Sequence, residues 1–144
     1  TVVWLTRRMT AGLLVALATL IARSNPNALR TPEHAAEILG FEHQNALVIA
    51  SGGQGVRLQA SRLPKKLPLR LVEQIELTAL TNGRGRIALR AGDSRLSLEL
   101  PRENLHLLHD QVAGLAKHAR WNLELGEPWP ASPATGDSQP RVTH

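Results

Sequence analysis

The chain contains no cysteine and no tyrosine. Without cysteine there can be no disulfide, no thiol nucleophile and no thiolate metal site. That composition accords with a reducing compartment, and a cytoplasmic location is expected. Aromatic residues are scarce as well: Trp4, Phe41, Trp121 and Trp129 make up 3% of the sequence. A core must therefore be assembled mainly from Leu, Val, Ile and Ala. Several catalytic signatures are also missing. The chain has no G-x-x-x-x-G-K-[ST] phosphate loop, no H-E-x-x-H metal pair and no G-x-S-x-G nucleophile elbow. With no converging polar motif, the sequence leans away from an enzyme, and no cofactor is called for.

The apolar run Ala11–Ala22 is interrupted by Thr19 and falls short of the ~20 residues needed to span a bilayer, so no transmembrane span is expected. Arg7-Arg8 precedes this run in the manner of a twin-arginine signal. The apolar Val2–Leu5 stands where such a signal has a polar region, and Leu13, Leu17, Leu20 and Ile21 recur at helical spacing. The segment therefore reads as a short strand, Val2–Leu5, followed by a core helix. Thr6 is its N-cap, Arg23 suits the C-terminal end of its dipole, and Asn25-Pro26 stops it.

A total of 144 residues, 42% of them hydrophobic, suits one domain with one core. A second helix is expected to start at Thr31-Pro32, weakened in its middle by Gly40 and ended by Gly52-Gly53, so that the first two helices form an αα-hairpin. Residues 56–60 alternate as a short strand. Ile75, Leu77 and Ala79, then Ile87, Leu89 and Ala91, then Leu96, Leu98 and Leu100 alternate with polar or charged residues. These runs are separated by Asn82–Gly85 and by Ala91–Ser94, the pattern of an antiparallel meander with one apolar face. A last helix starts near Pro101, with Leu105, Leu108, Val112, Leu115 and Ala119 as its buried stripe. The expected fold class is α+β. It comprises a short N-terminal strand, an αα-hairpin, an antiparallel meander of three to four strands and a C-terminal helix packed on the sheet. Residues 1–125 would form this single domain, and residues 126–144, rich in proline, glycine and small polar residues, a flexible tail.

Ser51–Gln54, "SGGQ", resembles the signature loop of the ABC-transporter ATPases across four residues. That loop acts at a helix N-terminus, on ATP held by a phosphate loop. Here the glycines follow an expected helix, and the phosphate loop is lacking, so the stretch reads as a helix stop.

Charge points elsewhere. The formal net charge is +5, with seventeen basic and twelve acidic residues. Between residues 54 and 95 nine basic residues face only Glu73, Glu76 and Asp93, so all of the excess lies in the middle of the chain. Arg57, Arg62, Lys65, Lys66, Arg84, Arg86, Arg90 and Arg95 are the candidate surface for an anionic partner. Glu76 and Glu99 are available to neutralise part of it across strands. No aromatic residue lies on the meander, so nucleic acid would be held by its phosphates and not by base stacking.

His106 and His109, spaced i, i+3 on the last helix, are the candidate metal pair. His109 falls at the edge of the buried stripe and His106 further toward solvent. His34, Glu37 and His43 could complete the set if the second helix packs beside the last. The function most in keeping with these features is a non-catalytic interaction module, a small subunit or adaptor in a larger assembly. Another protein chain or a second copy would cover the nearly all-apolar first helix. The alternative is non-specific nucleic-acid backbone binding through the arginine-rich middle.

Overall fold

The structure is a computed structural model that describes residues 3–52, 70–126, 128 and 129. Helix α1 spans Arg7–Arg23, a short α2 spans Pro26–Arg30, and a 3-10 turn at Pro32–His34 leads into α3, Ala35–Gly52. The meander follows as β1 Gln74–Ala79, β2 Gly85–Ala91 and β3 Ser94–Leu100, and α4 spans Arg102–His118. The mixed α+β class and the three antiparallel strands agree with the sequence. The strand expected at 56–60 lies outside the described residues.

Helix α1 begins as its sequence dictates. The Thr6 hydroxyl accepts a hydrogen bond from the Met9 amide, which satisfies one of the amides left without a partner in a first helical turn. It ends at Arg23, but Asn25-Pro26 does more than stop it. The Asn25 side chain accepts from the Asn27 and Ala28 amides and so caps α2. The expected second helix is thereby corrected: its first turn belongs to α2 and its body to α3. Thr31 makes no capping bond, and its hydroxyl donates to the Asn27 carbonyl. Gly40 does not interrupt α3.

The sheet has the order β1-β2-β3. Ile75 pairs with Leu89 and Leu77 with Ile87, while Leu96 and Leu98 continue the same rows on β3. The alternation thus gives one apolar face. Gly83 and Gly92 turn the chain in the left-handed region, at φ 75° and 59°, where a side chain is disfavoured. No strand forms at Val3–Leu5. Trp4 instead makes a single parallel bridge to Leu71, with its amide donating to the Arg70 carbonyl and its carbonyl accepting from Val72.

Helix α1 is the principal helix against the sheet, meeting β1, while α4 lies between α1 and α3. The expectation that the C-terminal helix covers the meander is therefore corrected. Helix α4 reaches the sheet chiefly through Leu105, which meets Gly85 together with Leu20 of α1. Leu17, Ile21, Ile87 and Leu105 are the fully buried centre of the core. The apolar character of α1 thus finds its cover largely within the chain. The buried face of α4 is also rotated from the expected stripe: Leu105, His106, His109 and Ala116 are inside, whereas Leu115 is 68% exposed. Among the described residues, no helix is long and apolar enough to cross a membrane.

Gly85 sits at a close approach between layers. A Cβ there would lie 2.8 Å from a Leu20 methyl and 2.9 Å from a Leu105 methyl, and both leucines are buried. Gly85→Ala is expected to destabilise the fold by about 1–3 kcal/mol through overpacking, measured by urea denaturation. A neutral or stabilising result would show that Leu20 and Leu105 repack freely.

Candidate functional site

Helices α3 and α4 enclose a polar cluster inside an otherwise aliphatic protein. Its anchor is Arg102, the first residue of α4. The guanidinium binds Glu42 of α3 through two bonds, Nε to Oε1 at 2.6 Å and Nη2 to Oε2 at 2.8 Å. It also donates to the Ile21 carbonyl at 3.0 Å and to the Ser24 hydroxyl, both at the C-terminal end of α1. Asn25 Nδ2 adds a third donor to Glu42 at 2.9 Å. Arg102 and Glu42 are 18% and 26% exposed, so this pair is far less screened than a surface pair. Burial alone would raise the Glu42 pKa. The hydrogen bonds from Arg102 and Asn25, a close approach from His106 and the Arg102 charge outweigh it, and the carboxyl is held well below the usual range.

The next members are imidazoles. His106 is fully buried, against the expectation that it faces solvent. Its Nδ1 lies 3.1 Å from Nδ1 of His43 on α3. Its Nε2 lies 3.2 Å from Glu42 Oε2, yet out of line for a hydrogen bond. Among the described residues it is the one buried polar side-chain atom without such a partner. His43 Nε2 in turn faces Asp110 Oδ1 at 3.7 Å. A continuous chain of polar groups thus runs Arg102, Glu42, His106, His43, Asp110. His109 stands edge-on to His43, with ring centroids 6.0 Å apart. Trp129 packs over all three imidazoles at 5.3, 5.4 and 5.8 Å, and its indole N–H donates to the Ala18 carbonyl. Burial, reinforced by the positive charge of neighbouring imidazoles, lowers the pKa of His43 and of His109, and Asp110 opposes the shift in each.

The cluster gathers His43, His106 and His109, but His34 lies apart, 3.4 Å from Glu37 at the surface. Among the described residues, no group of three or more His, Asp or Glu side chains is arranged to hold a metal. Sequence reasoning missed Glu42, Arg102 and Trp129 as partners. Arg102 did carry a signal, because a cation in the first turn of a helix opposes the helix dipole and asks for a tertiary reason. Trp129 was hidden in a stretch whose composition reads as tail.

The basic surface is partly neutralised. On the outer face of the sheet, Arg86 binds Glu99 at 2.6 and 3.1 Å, and Arg95 reaches Glu76 at 3.3 Å. Arg84 donates to the Glu99 carbonyl. Arg90 stands opposite Arg95 in the register and makes no ion pair among the described residues. Arg57, Arg62, Lys65 and Lys66 lie outside the described residues. Exposed apolar side chains gather instead on α3, where Phe41, Val48 and Ile49 are 76%, 67% and 63% exposed. No known protein family matches the chain, and no characterised protein or solved structure resembles it significantly.

Two outcomes follow from the cluster. Arg102→Met strands the Glu42 charge and is expected to cost about 3 kcal/mol, whereas Arg102→Met with Glu42→Leu recovers most of the loss. Urea denaturation of both variants measures the difference, and equal losses would refute the pairing. Stability should also fall as pH drops through about 6.5, because unfolded His43 and His109 take up protons that the folded site disfavours. A further loss, from Glu42, belongs below the ordinary glutamate range. Denaturation at pH 8, 6.5 and 5 tests the upper window, which His43→Gln with His109→Gln should flatten.

Proposed function

We propose that the protein is a non-catalytic interaction module, a small subunit or adaptor that docks on another protein chain through the exposed face of α3. The observation that carries this reading is Phe41. It is the only phenylalanine in a chain with four aromatic residues, and it is 76% exposed. At ~100° per residue, Val48 lies within about 20° of Phe41 around the helix and Ile49 within about 80°. A single exposed apolar residue is ordinary, whereas several large ones on one helix face mark a contact surface. Helix α1, apolar along most of its length, is covered largely within the chain, so the face open to a partner is that of α3. An aromatic anchor beside β-branched side chains suits a helix-face or groove contact with another protein, a second copy included.

Phosphate-backbone binding is the weaker reading. Arg86 and Arg95 are committed to carboxylates across the sheet, which leaves Arg84 and Arg90 as the described members of the candidate surface whose charge no ion pair opposes. That reading rests on Arg57, Arg62, Lys65 and Lys66, and it demands affinity that falls steeply with salt.

Light scattering coupled to size exclusion, with a native pull-down using the same chain as bait, tests the proposal. The wild-type chain is expected to self-associate or retain a stoichiometric protein partner. Phe41→Glu should abolish that association with an unchanged unfolding midpoint. A wild-type chain that is strictly monomeric and retains no partner refutes the proposal, as does association that survives Phe41→Glu.

A further inference from the structure

We propose that the space between α1 and α4 is a binding pocket for a medium-chain organic acid, an apolar tail carrying one carboxylate. The cavity measures about 680 Å³, within the ~300–1,000 Å³ typical of small-molecule sites. Its walls are two helices that face each other with small side chains, Ala18 and Ala22 from α1 and Ala113 and Ala116 from α4. Larger residues there would fill the space between the helices. After α4 the chain returns over the trough, and Trp121, Leu123, Leu125, Pro128 and Trp129 line its roof. That return is fixed at Arg120, which takes the left-handed conformation at φ 57°. The Arg120 amide donates to the Lys117 carbonyl and the Trp121 amide to the Ala116 carbonyl, the paired bonds of a Schellman cap.

The pocket has a direction. Leu20 and Leu105 meet at Gly85, Arg102 reaches the Ile21 carbonyl, and Arg7 reaches the Asn122 carbonyl, so α1 and α4 run antiparallel. His109 and Arg23 therefore belong to one end, and Lys117 and Trp121 to the other. Along α1 the lining from Leu14 to Arg23 covers about 13 Å at 1.5 Å per residue.

Two observations select an acid over a plain hydrocarbon. His109 lines the cavity at 8% exposure and makes no hydrogen bond among the described residues. Burial disfavours its charged form, so it presents one donor and one acceptor nitrogen. Its ring nitrogens stand open to the cavity, since His106 Nε2 is the one fully buried polar side-chain atom without a partner among the described residues. Arg23 lines the same end and Lys117 the other, and neither is in an ion pair among the described residues. An apolar chain laid in the alanine trough, with its carboxylate accepting from His109 and facing Arg23, satisfies the free imidazole nitrogen and places a counter-charge at the rim.

Calorimetric titration of the full chain with decanoate tests this, with decanol and acetate as comparison probes. Saturable one-to-one decanoate binding is expected. Decanol should bind about tenfold more weakly, since it lacks the charged hydrogen bond, and acetate should not bind measurably. Arg23→Ala or His109→Gln should narrow the gap between decanoate and decanol. Ala113→Leu should weaken both by filling the trough, and Ala22→Leu serves as a second such variant if the first fails to fold. Phe41→Glu should leave decanoate binding unchanged, so this test and that of the α3 docking face fail independently. Absence of saturable decanoate binding overturns the proposal. So do equal affinities for decanoate and decanol, or unchanged binding in a folded trough-filling variant.

Discussion

The Arg102–Glu42 pair ties three helices at one point. Its guanidinium has its charge balanced by α3 and two of its remaining N–H groups taken by the Ile21 carbonyl and by the Ser24 hydroxyl. Two features of α1 make that junction favourable. Its final carbonyls have no partners inside the helix, and the negative end of its dipole lies there. A cation in that position satisfies the carbonyls and the dipole together. Asn25 takes part twice, capping α2 with its oxygen and donating to Glu42 with its nitrogen. The segment between α1 and α3 is therefore held by side-chain hydrogen bonds together with Ala28, which is buried in the core. Half-satisfied, such a network would destabilise the interior more than leucine would.

That junction sets the order of layers. With α1 bound to α4 at one end, its apolar face is free to lie on the sheet, and α4 is left to mediate between α1 and α3. The result is a three-stranded sheet covered on its apolar face principally by one helix. Its other face is finished by the Arg86–Glu99 and Arg95–Glu76 pairs. Exposed pairs of this kind add little stability. Their consequence is electrostatic: they leave the sheet much less basic than its sequence.

The parts legible in the sequence were those fixed by neighbours along the chain. Period-two alternation and the turns at Gly83 and Gly92 specify the meander without reference to any helix. Thr6 and Asn25-Pro26 mark the ends of α1 by local hydrogen bonding. What required the third dimension was the choice of partner for each face. Helical spacing gave α4 an aliphatic stripe through Leu115, but α4 touches two helices and buries a different arc. A stripe drawn through those aliphatic residues places His109 at its edge and His106 toward solvent, because at ~100° per residue the arc is set by where the leucines fall. The burial of both histidines depends on His43, Glu42 and Trp129, all at least twenty residues away in sequence. Trp129 illustrates the converse, since a proline- and glycine-rich stretch holds the residue that closes the histidine cluster.

The facing Nδ1 atoms of His43 and His106 impose a rule on where the two rings carry their hydrogens. A hydrogen bond between two ring nitrogens needs one hydrogen and one lone pair. With one hydrogen on each ring, whichever imidazole donates at Nδ1, the other accepts there and carries its own hydrogen on Nε2, where His43 faces Asp110 and His106 faces Glu42. The two rings therefore take their tautomers together, and either arrangement turns an N–H toward one of the two carboxylates.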